Sequence, residues 1–187
     1  MIDQDKIRAA VASILEAIGE DPRREGLLET PRRVAEMYAE LFSGIEEDPA
    51  RVLETGFDEG HKEMVVLKDM QFHAICEHHF LPFYGHAHVG YIPNGRVVGA
   101  SKLGRALDIL GRRPQLQERL TAQLADAVFT TAQPSGVGVI IEAEHMCMTI
   151  RGVKKPGSKI VTAAMRGSFQ TDPAVVRQFH ALAGRVE

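Results

Sequence analysis

The sequence predicts an α+β fold: an antiparallel four-stranded sheet with helices on one face, preceded by N-terminal helices. Three observations carry it. Amphipathic helical periods open the chain, four strand-like stretches follow as two pairs with helical periods between them, and a capped helix closes it. A length of 187 residues, 44% of them hydrophobic, suffices for one substantial core rather than two.

The first helix is expected from about Asp3 to Gly19, with Ile7, Ala10, Val11, Ile14, Leu15 and Ile18 on one face. A second begins in "ETPRRVAEMYAELFSG", where Thr30 is the expected N-cap, Pro31 sits at N1 and Gly44 closes the end. Residues 45–62, rich in Glu, Asp and Gly, read as a loop. "EMVVLKDMQFHAI" and "GHAHVGYIP" read as strands, with "CEHHFLP" between them or ending the first. "SKLGRALDILG" reads as a helix. "RPQLQERLTAQLADAVFTTA" reads as a longer one, with Pro114 near N1 and Leu116, Leu120, Leu124 and Val128 four apart. "GVGVIIEAEHMCMTI" is a strand, and "KIVTAAMRGSFQTD" its hairpin partner, although the middle of the latter also fits a helix. "DPAVVRQFHALAG" is a final helix capped by Asp172. Neither a repeat nor a low-complexity linker divides the chain, so a helical region 1–62 and a catalytic region 63–187 form one domain. Four strands leave open edges, which ask for a cover or for pairing with another subunit.

Composition narrows the function. No stretch approaches the roughly 20 apolar residues that span a bilayer. The N-terminus lacks the basic region and cleavage site of a signal peptide, so a cytoplasmic protein is expected. Two cysteines there point to a metal pair, a catalytic thiol or core residues rather than a disulfide. The net charge of −3 hides an asymmetry: residues 1–95 carry 9 Lys+Arg against 18 Asp+Glu, and residues 96–170 carry 11 against 5. The overall acidity argues against nucleic acid as a partner, whereas the basic segment suits a local anion site for a phosphorylated ligand.

Five of the eight histidines (His73, His78, His79, His86 and His88) fall in or just before "CEHHFLPFYGHAH". Cys76 and His79 are spaced i, i+3, so one tight turn aims both at a single ion. "HMC" places His145 and Cys147 at i, i+2 on one strand face. Cys76, His79 and Cys147 then offer two thiolates and an imidazole, a set that suits Zn2+, with no fourth thiolate to close the site. Spacing alone leaves open two buried cysteines with unrelated histidines nearby. His78 and His145 adjoin these ligands, placed for proton transfer or for support of the ligands. Ser101 and Lys102 stand at an expected helix N-terminus, with Arg105 one turn on, and Arg151 follows Cys147 by four residues. These are candidate phosphate contacts or ordinary surface groups. Gln117 and Glu118 form a pair whose carboxylate can accept from guanine N1–H and N2–H, or is merely solvated.

"CEHHFLP", "VGASKLGR", "RRPQLQERLT", "EAEHMCMTIRGV" and "ETPRRVAEMYAELFSG" closely resemble corresponding stretches of the GTP cyclohydrolase I family, in order from about Glu29 to about Thr171. The resemblance implies hydrolysis and rearrangement of GTP to 7,8-dihydroneopterin triphosphate and formate, the first step of folate or pterin biosynthesis. It implies a tunnelling fold whose sheets join into a barrel across subunits, and a homodecamer of two pentamers with sites at subunit interfaces. Position by position it implies Zn2+ on Cys76, His79 and Cys147, and proton transfer by His78 and His145. It places guanine on Glu118 with Gln117 beside it, and ribose and triphosphate on Ser101, Lys102, Arg105 and Arg151, with Arg33 contributed by a neighbouring subunit. Water would attack C8 of GTP while His78 protonates N7, and His145 would serve the ribose steps. One position departs: Glu36 stands where some bacterial relatives carry a lysine. A nitrile reductase of the same superfamily would use a cysteine nucleophile and a nicotinamide, which the His78–His79 pair and the second cysteine disfavour. A structural zinc module would need a fourth ligand.

Overall fold

The computed structural model describes residues 2–184. In chain order it contains α1 (Gln4–Ala17), α2 (Thr30–Leu41), a 3-10 turn at Ser43–Ile45, α3 (Ala50–Leu53), β1 (Gly56–His61), β2 (Val65–Cys76), β3 (Pro82–Ile92) and β4 (Gly95–Val98). There follow α4 (Ala100–Gly111), β5 (Pro114–Gln115), α5 (Gln117–Ala132), β6 (Gly136–His145), α6 (Met146–Thr149), β7 (Lys159–Gly167), α7 (Ser168–Thr171) and α8 (Pro173–Ala183). The class is α+β, as expected. The four long strands β2, β3, β6 and β7 form the expected antiparallel series, and the ambiguous middle of β7 is strand.

The sheet differs from the expectation in three ways. It has a fifth member, because Pro114 and Gln115 pair in parallel with Ile75 and Cys76. The long helix therefore starts at Gln117, and Pro114 belongs to an edge strand rather than to its first turn. Residues 45–62 are not all loop: β1 pairs with β4 in a separate two-stranded sheet. Gly, Asp and Glu carry poor strand propensity, and only the non-local partner makes this segment extended.

The third difference is that helices cover both faces. Ala74, Phe83, Ala87, Val89, Val139 and Ile141 share a core with Leu103 and Leu107 of α4 and Leu120, Leu124 and Val128 of α5. Ile140, of opposite parity in β6, packs instead with Phe169 of α7 and Phe179 and Ala183 of α8. The rings approach so closely that a Cβ on Gly90 or Gly138 would lie 2.5 Å from Phe179 or Phe169. A strand covered on both sides reads as a continuous apolar run, as "GVGVII" does. The uncovered rest of that second face is polar, with Gln71, His73, Tyr84 and His86 around an open depression of about 360 Å³.

At the N-terminus, the Asp3 carboxylate accepts from the Lys6 N–H at 3.0 Å and caps α1. Thr30 is the first helical residue of α2, preceded by Glu29 at the cap, whose side chain makes no capping bond. Gly44 does not end α2, which stops at Leu41. It lies buried against α4, where its N–H donates to the Arg112 carbonyl at 3.1 Å and a Cβ would meet the Ile109 oxygen at 2.1 Å. Of the α1 stripe only Leu15 is buried, while Ile14 and Ile18 are 58% and 69% exposed. Asp172 caps α8 as expected, accepting from the Ala174 N–H at 2.8 Å.

Candidate metal centre and surrounding site

Cys76 is the last residue of β2, and the chain reverses directly after it. The Phe80 N–H donates to the Cys76 carbonyl and the Cys76 N–H to the Leu81 carbonyl, each at 2.9 Å. Phe80 takes the left-handed bend at φ 53°, an uncommon conformation for an aromatic residue. The turn carries His79 back beside Cys76. The third member arrives differently from the expectation. The strand stops at His145, and Cys147 lies on the single helical turn α6, closed by the Ile150 N–H donating to the Met146 carbonyl at 3.1 Å. His145 and Cys147 therefore do not share a strand face, since helical geometry intervenes between them.

The donor atoms of Cys76, His79 and Cys147 all lie within 4.8 Å of one another, the only such group among the described residues. His78 is not part of it. It is exposed, with its ring perpendicular to that of His79 at a centroid distance of 6.2 Å. Burial first, and then the neighbouring Cys76 thiol, push the Cys147 thiol above its ordinary value. Two adjacent thiols resist ionising together, and a divalent cation between them reverses that preference. Two soft sulfurs and an imidazole on one point fit zinc and leave a fourth position open, the pattern of a catalytic site. Arg151 flanks the group, with Nη1 3.4 Å from His79 Nε2 and donating to the Cys147 carbonyl at 3.4 Å.

His145 lies inside, 8% exposed, its ring stacked on Phe83 at 4.6 Å and 5°. Burial holds its pKa below the ordinary imidazole value, and the charge of Glu118 pulls the other way. Its Nε2 is 2.8 Å from Gln117 Oε1. Glu118 is exposed on the first turn of α5, but Gln117 does not share its surface. It is 1% exposed, and its amide donates to strand carbonyls. The two side chains part because successive helical residues point about 100° apart, and here Gln117 points into the sheet.

Ser101, Lys102 and Arg105 lie on the first turns of α4, where Gly99 caps the helix without a side chain. Ser101 and Arg105 are exposed and Lys102 half-buried. Arg33 is exposed on α2, and the departing Glu36 is engaged by Arg32, whose Nη1 lies 2.8 Å from its carboxylate. One contact went unforeseen. Arg119 grips Glu77 through both guanidinium nitrogens, Nη2 to Oε1 at 3.1 Å, and ties the Cys76–His79 turn to the start of α5. An exposed pair of this kind adds little stability. Its trace in the sequence was adjacency, since Glu77 follows Cys76 and Arg119 follows Glu118.

Comparison with known proteins gives a consistent picture. The GTP cyclohydrolase I family model matches residues 7–184. GTP cyclohydrolase 1 of Dehalococcoides mccartyi (strain ATCC BAA-2266 / KCTC 15142 / 195) is 58% identical over 184 residues, 97% of each chain. That of Bacillus subtilis (strain 168) is 58% identical over 174 residues, 92% of each. That of Geobacillus kaustophilus (strain HTA426) is 60% identical over 168 residues, 89% of each. Among solved structures, the apo form of an archaeosine synthase QueF-Like protein is 21% identical with a TM-score of 0.43, over 56% of this chain and 93% of that one.

Proposed function

The chain belongs to the GTP cyclohydrolase I family, and from that premise we propose how its residues carry the family's reaction. That reaction is the hydrolysis and rearrangement of GTP to 7,8-dihydroneopterin triphosphate and formate, the first step of folate and pterin biosynthesis. The observation that carries the reading is the convergence of Cys76, His79 and Cys147 within 4.8 Å. Held there, zinc would polarise and activate water for attack on an electron-poor carbon.

The chain's own groups do the rest. His78, exposed beside His79, protonates N7 of the purine as its ring opens. Glu118 accepts from guanine N1–H and N2–H, and a site built on such pairing discriminates against bases that lack those donors. His145, whose pKa burial holds below the ordinary imidazole value, moves protons in the ribose steps. The first turn of α4 presents Ser101, Lys102 and Arg105 to ribose and triphosphate, and Arg151 adds charge next to the metal.

The site is completed between copies of the chain. His78, His79, Glu118 and Arg33 are exposed. So is the apolar surface of Ile14, Ile18, Leu28 and Met37 on and beside α1 and α2. These features favour a tunnelling-fold barrel joined through the sheet edges, two pentamers to a decamer, with Arg33 reaching a neighbouring subunit's substrate. The division into a helical region 1–62 and a catalytic region 63–187 belongs to the same reading. No described helix is long and apolar enough to cross a membrane, which is consistent with a cytoplasmic enzyme. The test is to incubate the zinc-loaded protein with GTP and follow formate and pterin fluorescence while light scattering gives the mass. Formate from a ring-sized oligomer is expected. A fully active monomer would overturn the shared site, and no formate at all would overturn the activity.

A further inference from the structure

Gln117 opens α5, yet its side chain reaches two strands of the sheet. Nε2 lies 3.0 Å from the Ile141 carbonyl, 2.9 Å from the Ile160 carbonyl and 3.1 Å from Thr162 Oγ1. Two of these neighbours are carbonyl oxygens, which only accept. Turning the amide over would set Oε1 against both in a buried site, where unpaired polar atoms are costly. The amide is therefore fixed with its NH2 toward the strands and Oε1 toward His145 Nε2, 2.8 Å away. An amide oxygen also only accepts, so the hydrogen between them sits on the histidine.

Two threonines lock the arrangement. Thr121 Oγ1 is 2.7 Å from the backbone carbonyl of Gln117, so its single hydrogen goes there. It is also 2.6 Å from Thr162 Oγ1, so Thr162 must be the donor of that pair. Thr162 Oγ1 therefore turns only lone pairs toward Gln117 Nε2, whose two hydrogens it can at most share with the Ile141 and Ile160 carbonyls. A turned amide would set Oε1 against this third acceptor as well.

We infer that Gln117 is a positioning residue for the reaction: it holds His145 in the Nε2–H tautomer and leaves Nδ1 as the ring's one basic nitrogen. Phe83, parallel at 4.6 Å, sets the plane of the ring, and Gln117 sets which edge faces inward. With Nε2–H engaged by Gln117, Nδ1 is the edge of His145 left to exchange a proton with substrate in the proton-transfer cycle. Gln117 Oε1 accepts from Nε2–H before and after that exchange. The functional half of this inference rests on the proton-transfer role proposed for His145, whereas the tautomer stands on the hydrogen bonds around Gln117 alone.

Two measurements test it. The first uses the zinc-loaded wild-type protein with 15N-labelled histidine, whose nitrogen signals separate the two tautomers. The His145 signal is identified by its loss in His145→Asn. A protonated Nε2 and bare Nδ1 are expected, and an Nδ1–H signal or an even mixture overturns the inference. The second uses Gln117→Met, which keeps length and volume but neither donates nor accepts. Turnover should fall on the order of tenfold to a hundredfold, as for other lost partners of site histidines. KM for GTP should stay within about threefold, because a residue that positions His145 without touching substrate leaves GTP binding in place. A raised KM with unchanged kcat would assign the amide to guanine instead and overturn the inference. If this variant does not fold, the wild-type spectrum decides alone. The two failures are distinct: missing formate from the wild type overturns the activity, and an Nδ1–H signal overturns this inference whether or not formate appears.

Discussion

Stripping the metal in air should convert Cys76 and Cys147 into a disulfide. Tetrahedral zinc with bonds of about 2.3 Å would hold the two sulfurs roughly 4 Å apart. In the structure the donor atoms lie within 4.8 Å of one another. A disulfide needs about 2 Å between sulfurs, so closure requires side-chain rotation and a shift of order 1 Å in the turns. Both turns are short and lie at strand ends, the places best able to give. Dissolved oxygen takes the two electrons and two protons as the thiols join. The bridge would close a loop of about 70 residues, which on chain entropy adds at most roughly 4 kcal/mol against unfolding. The oxidised protein should therefore be harder to unfold in urea than its reduced, metal-free counterpart, and inactive until thiol and zinc are restored. Thiol titration and non-reducing peptide mapping after aerobic dialysis against a chelator read the bond directly. Both thiols free after prolonged exposure, or bridges only between chains, would refute a shared metal point for the two cysteines.

Three further outcomes follow from the site and the sheet. His79→Ser should lose both zinc and activity, while His78→Ser keeps zinc near one per chain and loses about a hundredfold or more in turnover. The reverse pattern in metal analysis would exchange their roles. Glu118→Gln should abolish most formate release with zinc and oligomer intact, because an amide turns a donor toward one of the two guanine donors, so near-normal turnover would make Glu118 an ordinary helix residue. His88 is buried and accepts from the Asp69 N–H through Nδ1 at 3.2 Å. Burial lowers its pKa from 6.5, with Asp69 and Glu142 opposing and His86 and Lys68 assisting. The unfolded chain therefore binds this proton more readily than the folded one. The His88 contribution is complete above 6.5 and lost as the pH falls below it. Urea midpoints compared between about pH 7.5 and 5.5 should drop less for His88→Asn than for the wild type, and equal drops would place the sensitivity elsewhere.

The amino-acid sequence by itself determined what local physics can encode. The helical period of "SKLGRALDILG" became α4, Asp172 capped α8, and the four apolar runs became the four long strands. It also determined the meeting of Cys76, His79 and Cys147, because a thiol-imidazole pair at i, i+3 needs only one turn to converge, and one further thiol could complete the group. Tertiary structure decided whatever depends on partners far along the chain. β1 is extended because β4 lies beside it, and β5 because it meets the end of β2. The second helical layer follows from α7 and α8 folding back over Gly90 and Gly138. Gln117 shows the division most clearly. Sequence position put it next to Glu118, but its hydrogen-bond partners Ile141, Ile160, Thr162 and His145 lie 24 to 45 residues away. A side-chain amide is directed by whichever donors and acceptors surround it once burial excludes water. Those neighbours exist only after the strands have paired.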